Sequence, residues 1–159
     1  MRPPDEITAL VTGATDGLGR SVATELARRG ARVLVHGRSS ERGARTVEAI
    51  RAETGNDRVE LQLADFASLA EVRDLAEAVA GAAPELNLLI NNAGIGSGMP
   101  EGRERQESRD GIELRFQVNY LAGFVLTRAC CPCCAATLRP ASCRSRRWAR
   151  PRSTSRTRC

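Results

Sequence analysis

Apolar residues along this chain fall into short continuous runs separated by stretches with helical spacing. Ile7 to Thr12 (ITALVT) is one such run, closed by Gly13. It predicts a buried strand, because a parallel strand covered on both faces need not alternate. From Gly17 to Arg29, Leu18, Val22, Leu26 and the neighbouring alanines recur at helical spacing, and Gly30 ends the helix. Arg32 to His36 (RVLVH) predicts a second strand, and Ser40 is a candidate cap for a helix over Glu41 to Thr54 that closes near Gly55. A third strand is expected over Val59 to Leu63, and a third helix from about Ser68 to Ala80, stopped by Gly81 and Pro84. Leu86 to Ile90 (LNLLI) predicts a fourth strand. Residues 95–110, rich in glycine, charge and proline, predict a loop. A fourth helix is expected from near Asp110, with Leu114, Val118, Leu121 and Val125 on one stripe. The β-α alternation predicts an α/β fold: a parallel sheet of about four strands with right-handed crossovers and helices on both faces.

Composition divides the chain in two. Residues 1–128 hold 16 arginines and all 19 acidic residues, a formal charge of −3; residues 129–159 hold 8 arginines and no acid. The basic character therefore belongs to the tail alone. All six cysteines also lie there: Cys130, Cys131, Cys133, Cys134, Cys143 and Cys159. The chain has no lysine. Met1 to Glu6 is short, charged and proline-rich, unlike a signal peptide, and no apolar run has transmembrane length, so a cytoplasmic protein without membrane association is expected.

The first strand-turn-helix junction reads Thr12-Gly13-Ala14-Thr15-Asp16-Gly17-Leu18-Gly19. A turn that brings backbone against a pyrophosphate has no room for a Cβ, and the helix behind it aims free N–H groups and its positive dipole end at the phosphates. A tight β-α connection is the alternative reading of such glycines. The position after the first strand and at a helix start makes Thr12, Gly13, Thr15, Asp16, Gly17, Leu18 and Gly19 candidate dinucleotide ligands. The motifs that follow in order are Asp65 after the third strand, Asn91-Asn92-Ala93-Gly94 after the fourth, and Asn119 within Phe116-Gln117-Val118-Asn119-Tyr120.

This set, over residues 7–128, resembles the short-chain dehydrogenase/reductase family, and the stretch from Asp110 to Thr127 looks most like its retinol-dehydrogenase-like branch. The resemblance implies a Rossmann-type doubly wound sheet and an oxidoreductase that moves a hydride between a nicotinamide dinucleotide and an alcohol or carbonyl substrate. It implies that Gly13, Gly17 and Gly19 surround the pyrophosphate and Asp65 holds the adenine edge. Asn91 would tie neighbouring strands, Ala93 and Gly94 would leave room for a ribose, and Asn119 would belong to the catalytic tetrad, positioning a water and a lysine.

An acid at the end of the second strand would bond the ribose 2′-hydroxyl of NAD and repel a 2′-phosphate. Here the residues are His36-Gly37-Arg38-Ser39. The planar fork of Arg38 and the hydroxyl of Ser39 suit a phosphate, which favours NADP(H) over NAD. A merely solvated Arg38 is the alternative. His36, the only histidine, fits a structural or cofactor-adjacent role better than metal ligation, since no second histidine or nearby cysteine set accompanies it.

Hydride transfer to a carbonyl needs a proton donor at the developing alkoxide. In the family resembled, a tyrosine does this with a lysine four residues later. The only tyrosine here is Tyr120, beside Asn119, and without lysine that pair is absent, so its role does not pass to Tyr120. Nor are the fifth strand with its serine, the helix with tyrosine and lysine, or the substrate-binding part recognisable after Arg128. Asn119 is the one tetrad member present. The expectation is an incomplete sheet with an exposed fourth strand, marginal stability and negligible turnover, with small-molecule substrates and homo-oligomers belonging to a full-length parent. A dinucleotide binder without catalysis is the alternative.

The tail, residues 129–159, admits several readings. Cys130-x-x-Cys133 and Cys131-x-x-Cys134 could form half a zinc site, but Cys143 and Cys159 do not make a second pair of usual spacing, so no metal site is expected. Nucleic-acid binding through the arginines is disfavoured, because only Trp148 accompanies them. Disulfides do not suit the cytoplasm. Translation out of frame explains more. Back-translated with GC-rich codons and read two bases later from Ala129, the tail becomes an amphipathic helix end, a turn and an apolar strand ending in Val-Ser-Ser, which is what the family pattern places next. The coding DNA beyond codon 128, sequenced directly, is expected to hold a Tyr-x-x-x-Lys reading frame in that shifted phase; its absence there would refute a frameshift.

Overall fold

In the computed structural model, which describes residues 3–96 and 105–130, four strands form one parallel sheet. They are β1 (Thr8–Val11), β2 (Arg32–Gly37), β3 (Val59–Leu63) and β4 (Leu88–Ile90), in the order β3-β2-β1-β4. The register places Val11 beside Val35 and Ile90, and Val35 beside Leu61. Successive side chains of β1 and β2 face opposite layers. Leu10 and Leu34 pack with Phe66, Val72, Leu75, Val79 and Leu126 on one face, whereas Val11, Val33 and Val35 pack with Ala23, Ala27, Val47 and Ile50 on the other. Both faces are therefore covered, which is why the two strands read as continuous apolar runs.

Helices α1 (Gly17–Arg28) and α2 (Ser40–Thr54) lie on the second face, and α3 (Leu69–Ala82) on the first. Three helical pieces then run end to end: Leu114–Phe116, a π-helical turn over Gln117–Leu121, and Ala122–Cys130. Together they are α4, which packs with α3.

Several elements differ from their sequence expectation for identifiable reasons. Of the apolar positions at helical spacing in α1, the alanines Ala23 and Ala27, with Gly19, face the sheet, and Leu26 packs half-buried beside them. A crossover helix packed that closely leaves its larger side chains at the rim, and Leu18 is 73% exposed. Helix α2 is capped by Ser39, whose hydroxyl oxygen accepts from the Arg42 N–H, so Ser40 is already helical. Strand β4 begins at Leu88, because Asn87 is used to pin the chain ends: its Nδ2 donates to the Glu6 carbonyl and its Oδ1 accepts from the Thr8 N–H. Helix α4 starts at Leu114, not near Asp110. The Glu113 carboxylate accepts from the Phe116 N–H as its cap, and Asp110 is engaged elsewhere. The helix continues through Cys130, two residues past the compositional boundary. Residues 97–104 of the expected loop, and the tail from 131 with its other five cysteines, lie outside the described residues.

Among the described residues strand β4 is an edge of the sheet, and all three of its residues are only half-buried. At the opposite end of the chain's packing, Asn56 holds the α1–β2 connection by donating from Nδ2 to the carbonyls of Ala27 (2.8 Å) and Ala31 (2.9 Å). Asn56→Ala leaves both carbonyls without this donor and is expected to lower stability by about 1–3 kcal/mol, measured by urea unfolding.

Candidate functional site

Strand order places the crossovers from β1 and from β3 on opposite sides of β1, so a crevice opens beyond the ends of β1, β2 and β4. A cleft of about 460 Å³ lies there. The glycine-rich turn forms one wall with Gly13, Thr15, Asp16, Gly17, Leu18 and Gly19. Gly37 and Arg38 enter from β2, Asp65 from the segment after β3, and Ala93 and Gly94 from the segment after β4. Ten of the expected dinucleotide ligands thus meet in one crevice. Thr12, Ser39 and Asn91 support it from outside.

Thr12 is fully buried, and its hydroxyl holds three partners. It donates to the Ile90 carbonyl (3.2 Å) and accepts from the N–H groups of Asn92 (2.9 Å) and Ala93 (3.0 Å). Asn92 answers by donating from Nδ2 to the carbonyls of Thr12 (2.9 Å) and Gly13 (3.0 Å). The tie between neighbouring strands expected of Asn91 is therefore made by Asn92. Asn91 instead donates to the Thr127 hydroxyl, joining the end of β4 to α4.

Two glycines are required by close approach. At Gly13 a Cβ would stand 2.7 Å from the Ala93 Cα, and the residue has φ +62°, a left-handed conformation. At Gly19 a Cβ would stand 2.4 Å from both the Asn92 amide nitrogen and the Gly13 carbonyl oxygen. Helix α1 can approach the turn only without side chains there. Asp16 caps α1 by accepting from the Gly17 N–H (2.7 Å).

Among the described residues Arg38 has no ion pair or hydrogen bond, and the N-terminus of α2 follows it directly. Ser39 spends its oxygen on that helix cap, which leaves its O–H as a donor. Asp65 is oriented by its neighbours: Oδ1 accepts from the Ala67 N–H (3.0 Å), and Oδ2 pairs with Arg109 (3.3 Å). Arg109 also pairs with Glu71, whose carboxylate accepts from the Asp65 N–H (2.7 Å).

His36, at the end of β2, is 3% exposed and stacks on Phe66 at 4.5 Å between ring centroids. Its Nδ1 accepts from the Gly13 N–H (3.2 Å), and its Nε2 lies 3.1 Å from the Ala64 carbonyl oxygen. Burial pushes its pKa below the ordinary histidine value, partly offset by the bond to Ala64.

Asn119 sits in the π-helical turn. Its Oδ1 accepts from the Ile95 N–H (2.8 Å) and its Nδ2 donates to the Ile95 carbonyl (3.0 Å). The side chain thus bonds the backbone that follows Gly94 through both of its polar atoms. Tyr120 is 62% exposed and stacks on Phe116, outside the cleft. Among the described residues no group of three His, Cys, Asp or Glu side chains could hold a metal, and no helix is long and apolar enough to cross a membrane.

Three structural residues had no clear signal in the sequence. Asn92 is one. Phe66 is another. Gln117 is the third: fully buried, it donates from Nε2 to the carbonyl of Phe66 and to Asp110, and accepts from Ser108. An amide inside a helical apolar stripe was the only hint of it.

A family model for short chain dehydrogenases matches residues 7–138. The chain belongs to this family. Human dehydrogenase/reductase SDR family member 13 is 45% identical over 81% of this chain and 32% of its own length. Mouse polyprenol dehydrogenase is 45% identical over 86% of this chain and 39% of its own length. Mouse retinol dehydrogenase 13 is 38% identical over 76% of this chain and 34% of its own, in keeping with the branch suggested by residues 110–127. The chain thus spans about a third to two fifths of the length of these curated relatives. Among solved structures, a short-chain dehydrogenase from Sphingobium yanoikuyae in complex with NADPH superposes with a TM-score of 0.66 at 30% identity, covering 79% of this chain and 47% of that one. One from Burkholderia cenocepacia in complex with NADP gives 0.65 at 34% identity, covering 81% and 51%.

Thr12→Val removes the hydroxyl that binds Ile90, Asn92 and Ala93 while nearly keeping the volume of the buried joint. It is expected to cost about 1–3 kcal/mol in urea unfolding, whereas Thr12→Ser, which retains the hydroxyl, costs less.

Proposed function

We propose that this chain is the NADP(H)-binding part of an oxidoreductase whose whole form interconverts an alcohol and a ketone or aldehyde. The observation that carries the reading is the end of β2. The cleft meets Gly37 and Arg38 there, and no carboxylate, so a 2′-phosphate finds a planar cationic fork and the N-terminus of α2 in place of an acid. The NADPH and NADP complexes of two solved family members support it.

The residues fit the whole dinucleotide. The pyrophosphate would lie against the glycine-rich turn, where Gly13 and Gly19 leave space that a Cβ would fill and α1 presents its free N–H groups. Asp65, held by Ala67 and Arg109, would accept from the adenine amino group. Asn92, Ala93 and Gly94 would line the second ribose. The nicotinamide, when bound, supplies or accepts the hydride. This chain contributes binding and orientation but no proton donor: Tyr120 lies outside the cleft, and there is no lysine to tune it. Asn119 would act by fixing the Ile95 backbone at the mouth of the site. We assign residues 129–159 to out-of-frame translation, the alcohol or carbonyl substrate and any homo-oligomer to the full-length parent, and the protein to the cytoplasm.

Calorimetric titration of the full chain is expected to show NADP+ binding about 10- to 100-fold tighter than NAD+, the range for a charge-assisted contact. Arg38→Asp is expected to remove that preference. No NADP+ binding, or equal affinities in the unsubstituted chain, overturns the cofactor assignment. Steady NADPH oxidation with aldehydes or ketones would overturn the absence of catalysis.

A further inference from the structure

His36 has contacts that a simple core histidine does not need. Gly13 N–H can only donate and the Ala64 carbonyl can only accept, so the ring must be neutral, with its proton on Nε2 and its lone pair on Nδ1. The same residue's carbonyl accepts from the Ala14 N–H (2.9 Å). One residue of β2 thus holds two successive N–H groups of the glycine-rich turn. On its other side Gly13 meets Ala93, so the turn is clamped between β2 and the segment after β4.

We propose that His36 is a positioning residue for the dinucleotide: its neutral ring holds Gly13 in the phosphate-binding conformation, and its protonation releases that turn and weakens binding in acid. The proposal rests on the NADP(H) reading above. A proton on Nδ1 would face the Gly13 N–H donor to donor, in a ring that is 3% exposed and stacked on Phe66. The acceptor is lost, the Gly13 N–H is left without a partner, and a cation is buried, all at one spot. The ring touches Gly13, Ala64 and Phe66. The charged groups sharing its cleft are Asp16 from the turn, Arg38 from the end of β2 and Asp65 from the segment after β3. Phosphates of a bound dinucleotide would attract the cation and so act in the opposite direction. The lost acceptor is the larger effect because it acts through direct contact.

The sign follows from the direction of the pKa. Folding favours the neutral ring, so the stability His36 contributes is present above the ordinary histidine pKa of about 6.5 and is lost as pH falls through the lower folded value. Bound dinucleotide should hold the ring neutral to still lower pH, since linkage is reciprocal.

His36 is the only histidine, so its ring C–H resonance reports this site alone. With the full chain, its titration midpoint is expected to lie below that of a free histidine and to move further down in saturating NADP+. NADP+ affinity by calorimetry is expected to fall about 3- to 10-fold as pH is lowered from well above the measured midpoint of His36 to well below it, the range for one lost hydrogen bond. The cofactor's own 2′-phosphate also titrates near pH 6, so His36→Asn is the reference: its Oδ1 can accept from Gly13 but cannot titrate. Its pH slope should be flatter than that of the unsubstituted chain. A midpoint that NADP+ leaves unchanged or raises, a ring that stays neutral until the fold is lost, or equal slopes for the two proteins overturns the role of His36. Failure to bind NADP+ at any pH would instead count against the cofactor reading.

Discussion

Thr12 donates to the Ile90 carbonyl and accepts from Asn92 and Ala93, and the two walls of the cleft that follow β1 and β4 take their place from that joint. It fixes where β1 stops and where the chain leaves β4. Asn92 can then reach back to Thr12 and Gly13, and Ala93 comes close enough to Gly13 to exclude a side chain there. The turn has no freedom left on that side. On the other, His36 supplies the contact. A buried hydroxyl with all its partners satisfied is rigid, because any movement would leave polar groups unpaired where water cannot reach.

The helices obey the same limit. Helix α1 meets the sheet through Gly19, Ala23 and Ala27, so its first turn sits directly behind the glycine-rich loop. Helix α4 is tied from two directions: Asn91 reaches Thr127 within it, and Asn119 from its π turn grips Ile95. A π turn disrupts the regular bonding ladder and is tolerated where such an irregularity serves a contact. Gln117 and Asp110 extend the connection to Phe66 and to the first residue of α3, whose N–H Asp110 accepts. The segment after β3 that carries Asp65 is thereby held from both sides.

Much of this was legible from residue order alone. Continuous apolar runs in β1 and β2 identify strands buried on both faces, and the glycine spacing after β1 locates the cleft. What the sequence hid depends on contacts between distant residues. Periodicity marked Leu18, Val22, Leu26 and the neighbouring alanines of α1 together, because it weighs hydrophobicity and not the room available beside a sheet, which selects Ala23 and Ala27. Ser39 and Ser40 have equal capping chemistry, and only the backbone shows which one precedes the helix. Asn91 and Asn92 likewise differ only in which way the chain turns after β4. Asp110, near which the sequence predicts the fourth helix to begin, has its carboxylate bonded to Leu69 and Gln117 instead.

The strand order β3-β2-β1-β4 also governs when the cleft can exist. Strands β1, β2 and β3 pair with near neighbours in the chain, but Ala9 meets Leu88 only after the whole of that unit has been made. A chain emerging from the ribosome therefore has the glycine turn and its histidine partner in place while the residues that close the turn from the other side, Asn92 and Ala93, are still unsynthesised. Long-range pairings of this kind are the slow ones. For that interval β1 has only one of its two neighbouring strands, so the step at greatest risk of misassembly during biosynthesis is the late arrival of β4 beside a strand that has been waiting for it.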